Sequence, residues 1–61
     1  MTYTQTQELF EAMDNLEMYS KLWHSEVNKD DTDFDEMKRY RAQIQVQRER
    51  IFHVLDKSND T

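Results

Sequence analysis

Apolar residues recur along this chain in steps of three and four. Leu9, Ala12, Met13, Leu16, Tyr19, Trp23 and Val27 do so in the first half. Phe34, Met37, Tyr40, Ile44, Ile51 and Leu55 do so in the second, with Arg48 in the missing step. That spacing stacks side chains on one face of an α-helix, whereas a half-buried strand alternates along its length. No strict alternation of strand length occurs. Between the two patterns lies the polar stretch Asn28-Lys29-Asp30-Asp31, and so short a link makes successive helices antiparallel neighbours. The pattern predicts an all-α fold with one domain over 1–61: a helix over about 5–28, a loop over about 29–32 and a helix over about 33–57. Each helix would run about 24 residues, or about 36 Å.

The expected boundaries have chemical signals. Thr4 with Gln7 three residues on can form a capping box, and Thr6 is a competing cap. Thr32, followed by Asp35, can cap the second helix, whose first turn then holds Asp33, Asp35 and Glu36 where the helix dipole favours negative charge. Lys57 suits the last turn, and Ser58-Asn59-Asp60-Thr61 is expected to fray. The chain has neither Gly nor Pro, on which hairpin turns between strands depend.

Composition changes this picture in one respect. A 61-residue chain buries only about 60% of the surface its unfolded form exposes, so an isolated core is marginal. Small scaffolds of this kind use disulfides, a metal or oligomerisation. There is no cysteine, which excludes disulfides and thiolate zinc sites and fits a reducing, cytoplasmic setting. The stretch over residues 1–13 lacks the basic and apolar regions of a secretory signal, and no apolar run exceeds two residues, far short of a membrane span. These features lead to an antiparallel two-helix hairpin, completed as a homodimeric four-helix bundle or by docking on a partner.

Charge is unevenly placed. Residues 1–36 hold ten acids and two bases, and residues 37–61 hold three acids and six bases, for a net charge of −5 overall. An antiparallel hairpin sets Glu17 and Asp14 near Arg41, and Glu11 near Arg48 or Arg50, so the acidic helix is neutralised largely by its neighbour. Within the helices, Glu17–Lys21, Asp35–Arg39 and Glu49–His53 have the i,i+4 spacing of supporting pairs. The negative total argues against direct binding to nucleic acid or anionic lipid.

Candidate chemistry is sparse. The run Asp30-Asp31-Thr32-Asp33-Phe34-Asp35-Glu36 resembles a calcium loop in charge alone. An EF-hand needs Gly at its sixth position and Glu at its twelfth, and counting from Asp30 these are Asp35 and Arg41. His24 and His53 lack the Glu-x-x-His spacing of bundle di-metal sites. Ser20 has no base in register, and a Gly-rich phosphate loop requires Gly. No catalytic, cofactor or metal residue is expected, and the chain does not read as an enzyme.

What remains is the surplus of apolar residues. Phe10, Met18 and Leu22 widen the apolar face of the first helix beyond what one neighbouring helix covers, while Val46 opposes the stripe of the second and Phe52 and Val54 flank it. Arg48 on the inner stripe either snorkels to Glu11 or Glu8 or acts as a polar specificity element at an oligomer interface. The expected interaction residues are therefore Phe10, Met13, Met18, Leu22, Trp23, Arg48 and Phe52. They point to a small acidic interaction module, an adaptor, regulator or co-chaperone, that self-associates or binds a larger protein. The alternative is an acidic mimic of nucleic acid, presenting Glu8, Glu11, Asp14 and the carboxylates of residues 30–36 to a basic groove, as small phage-type inhibitors do. The layout of a short acidic helix, a polar loop and an amphipathic helix with "YRAQIQVQRERI" resembles the helical-hairpin co-chaperones of type III secretion needle subunits. That resemblance implies a co-chaperone within the class of interaction modules.

Overall fold

The computed structural model describes residues 1–59, which form two helices, α1 (Tyr3–Val27) and α2 (Phe34–Asn59), packed against each other as an antiparallel hairpin. The molecule is a rod of 49 × 14 × 11 Å with a radius of gyration of 14.2 Å. A globular domain of this length would have a radius of gyration of roughly 10–11 Å. A rod this thin has a seam rather than a centre, and among the described residues only Ala12 (0% exposed) and Val54 (4%) are buried apolar residues.

The seam steps by three and four through Leu9, Ala12, Leu16, Tyr19, Trp23 and Glu26 on α1 and Met37, Tyr40, Ile44, Gln47, Ile51 and Val54 on α2, with Asn15, Ser20, Glu36 and Arg50 half-buried beside it. This is the a/d spacing of an antiparallel coiled coil. It corrects the inner stripe expected from hydrophobicity at several places. Arg48 is exposed, and the polar residue in the seam is its neighbour Gln47, 5% exposed. Val54 is buried where Leu55 was expected. Met13, Val27, Phe34 and Leu55 stand on the rim, between 38% and 66% exposed. Gln47 is accommodated because its carbonyl oxygen accepts from Arg50 Nη1 at 3.0 Å.

The helix ends also depart from the expected caps. The capping box of α1 is Thr2 with Gln5, not Thr4 with Gln7: the Gln5 amide donates to Thr2 Oγ1 (3.1 Å) and the Thr2 amide to Gln5 Oε1 (2.9 Å). Starting two residues earlier gives α1 an extra half-turn at no cost in unpaired donors. At α2 the cap is Asp33, whose Oδ1 accepts from the amides of Asp35 (3.1 Å) and Glu36 (3.3 Å). Thr32 instead donates to the carbonyls of Lys29 (2.8 Å) and Glu26 (3.2 Å), closing the end of α1. Asp33→Ala should therefore cost about 1 kcal/mol, with Asp35→Ala within a few tenths of wild type, in urea unfolding followed by circular dichroism. Equal losses at the two positions would remove Asp33 as the cap. Lys57 sits in the last turn of α2. Of the residues expected to fray, Ser58 and Asn59 have helical backbone and Asp60 and Thr61 lie outside the described residues.

Of the expected ion pairs, Glu17–Lys21 forms at 3.2 Å and Glu11–Arg50 spans the two helices at 3.9 Å. Glu36, three residues before Arg39, takes it (3.3 Å) in place of Asp35. Glu49 accepts from Gln45 (3.3 Å) rather than pairing with His53. Arg41 turns from the acids of α1 to lie over the Trp23 ring, 5.8 Å from its centroid.

Candidate protein-interaction faces

Seven-residue spacing assigns each exposed side chain to one of the two broad sides of the rod. Four residues after Leu9, Leu16 and Trp23 come Met13, Ser20 and Val27; four after Met37, Ile44 and Ile51 come Arg41, Arg48 and Leu55. Antiparallel packing brings those two columns to the same side. Arg41 over Trp23 marks that side in the structure. The columns beyond them carry Phe10 on α1 and Phe52 on α2, each 58% exposed. Glu11 meets Arg50, so Phe10 and Phe52 lie level with each other, with Met13 (48% exposed) and Leu55 (38%) between. Val27 and Phe34 occupy this side at the loop end.

The opposite side is marked by the Glu11–Arg50 pair and carries Met18, Leu22 and Val46, all between 39% and 46% exposed. Its apolar residues are fewer. The expected interaction residues therefore divide: Phe10, Met13, Arg48 and Phe52 share one side, Met18 and Leu22 take the other, and Trp23 lies half-buried at the seam. Trp23 stacks edge-on with His24, centroids 5.1 Å apart at 75°. Arg48 forms no ion pair within the chain among the described residues.

The acidic loop does different work. A shallow, open cleft there is lined by Glu26, Lys29, Asp31, Thr32, Asp33, Glu36 and Tyr40. Glu26, 6% exposed, accepts from the Asp33 amide at 2.7 Å and from Lys29 Nζ at 3.0 Å. The Asp33 amide above all, and then the Lys29 ammonium, hold the Glu26 carboxyl below its ordinary 4.5. The Glu26 carboxylate in turn raises Lys29 above 10.5. The neighbouring Glu36 carboxylate, above all, keeps the Tyr40 phenol above its ordinary 10.0. Glu26, Asp33 and Glu36 are thus engaged in closing the turn, and Asp30 and Asp31 are exposed beside it. Among the described residues, no three His, Asp or Glu side chains converge on a point that would hold a metal ion. No helix among those residues is long and apolar enough to cross a membrane.

Two residues escaped the sequence reading altogether. Glu26 and Gln47 occupy seam positions, but polar side chains carry no signal in a count of apolar spacing. Their partners at three residues' distance, Lys29 and Arg50, were the available clue. A scan against protein-family models and searches of curated proteins and solved structures find no match to this chain.

Proposed function

We propose that this protein is a small interaction module whose exposed apolar side is covered by another helical surface, as a homodimeric four-helix bundle or as a hairpin docked on a larger protein. The observation that carries this reading is the side holding Phe10, Met13, Phe52 and Leu55, open to solvent on a rod with only two buried apolar residues among those described. A seam of that size supplies little of the few kcal/mol that small domains manage. Large exposed apolar groups gathered on one side of so thin a molecule mark a binding surface. The charged surroundings suit an adaptor or regulator that associates reversibly. Mimicry of nucleic acid has weaker support, since Glu11 and Glu17 are already paired with Arg50 and Lys21.

Sedimentation from micromolar to millimolar concentration tests the self-associating form. The sedimentation coefficient and the thermal midpoint should both rise with concentration, since association stabilises the folded state by mass action. A monomer of unchanged midpoint throughout would overturn it.

A further inference from the structure

We propose that the occupant of the Phe10–Phe52 side is the same side of a second copy, set with both loops at one end. The inference rests on the self-associating reading above and adds to it the face, the orientation and the contacts.

Area favours an occupant of this size. The hairpin exposes 4889 Å². A folded monomer of its mass would expose about 4,200 Å². The excess, roughly 700 Å², approaches the ~800 Å² that each partner contributes to a standard stable interface. Covering one broad side by another of equal length and width removes surface of that order.

Charge and register decide the orientation. A two-fold axis along the rod lays α1 of one copy over α2 of the other, at matching levels and in opposite directions. Phe10 then meets Phe52 of the second copy twice, and Val27 meets Phe34 twice. Arg48 and Arg41 fall over Met13 and Ser20, with Glu17 of the second copy at an intermediate level. A two-fold axis across the rod that stacks α2 on α2 sets Arg41 over Arg48 in both copies, a like-charge contact with too few acids beside it. The same-ended dimer matches aromatic with aromatic and lays each arginine over α1 of the other copy rather than over another arginine. It also sets the acidic helix of each copy on the basic helix of the other.

A spin label at Asp30→Cys, in a turn exposed to solvent and in a chain without other cysteines, reads the orientation directly. The same-ended dimer puts the two labels side by side, well under half the 49 Å length of the rod, whereas opposed loops separate them by close to that length. The face is read by Phe10→Glu and Phe52→Lys, each of which should weaken association roughly thirty-fold or more as an aromatic anchor is lost. Combining the two should restore part of it, because residues 10 and 52 then meet as opposite charges. Circular dichroism confirms that the helices persist, and Met18→Glu on the opposite side should leave association unchanged. A dimer with loops far apart, or one broken by Met18→Glu and not by Phe52→Lys, overturns the arrangement and leaves the self-associating reading standing. A monomer at millimolar concentration overturns both.

Discussion

Ala12→Leu should lower the stability of the hairpin by about 2 kcal/mol and its thermal midpoint by roughly 10 °C. Ala12 is fully buried in the seam of α1, between the larger and only partly covered Leu9 and Leu16. Three added carbons at residue 12 find no space without parting α1 from α2. The fold has little reserve against that loss, since a single small core rarely supplies more than about 3–5 kcal/mol. Met13→Leu, one residue along and half exposed, changes the volume little and faces solvent, so it should stay within ~0.5 kcal/mol of wild type. Urea unfolding at a fixed protein concentration, followed at 222 nm, distinguishes the two. An Ala12→Leu protein as stable as wild type would mean the helices have room at that level and the seam is looser than described.

Glu26→Gln should flatten the acid side of the stability profile. A carboxylate in the last turn of a helix faces the negative end of the helix dipole, an unfavourable place unless donors hold it. Here the Asp33 amide and the Lys29 ammonium do so, and the folded pKa lies below the ordinary 4.5. A depressed pKa means that the folded chain binds this proton less readily than the unfolded chain. The contribution is therefore fully present above about pH 4.5 and is lost as pH falls through the lower, folded value. At pH 7 the Gln variant should melt below wild type by roughly 5 °C or more, since a charge-assisted bond between the two helices is weakened. Once the pH falls below the lowered folded value, the two midpoints should converge. Curves that stay parallel as the pH is lowered from 7 until both proteins unfold would show that Glu26 does not clamp the turn. Lys29 has the opposite sign: its raised pKa gives a contribution present below pH 10.5 and lost above it.

The two helices and their antiparallel order were legible in the spacing of apolar residues, because a chain without Gly or Pro and with a short polar link has few other options. The phase of the second stripe was not. Stepping from Ile44 to Ile51 through residue 48 keeps to multiples of three and four just as well as stepping through residue 47. Hydrophobicity ranks neither Arg48 nor Gln47 as a core residue, so the count cannot decide. Packing decides it: Gln is shorter, and its amide is satisfied by Arg50 one turn on. That choice carries Val54 into the seam and Leu55 onto the rim, where it adds to the apolar Phe10–Phe52 side. The acidic loop was legible as a connection with capping charge, though the division of labour between Thr32 and Asp33 depends on a backbone angle that composition does not reveal. Glu26 was the deeper omission, since its role requires knowing which amide the next helix leaves free.

Trp23 makes the hairpin its own reporter. It is the sole tryptophan in the chain, placed where α1 and α2 meet near the loop, with Arg41 across its face and His24 at its edge. Its indole N–H is buried without a hydrogen-bond partner, so the ring emits from surroundings partly shielded from water. Parting of the helices removes the guanidinium and hydrates that N–H, which moves the emission to longer wavelength. Hinge-like opening at the loop end therefore has an optical signature distinct from loss of helix, which circular dichroism records along the whole rod.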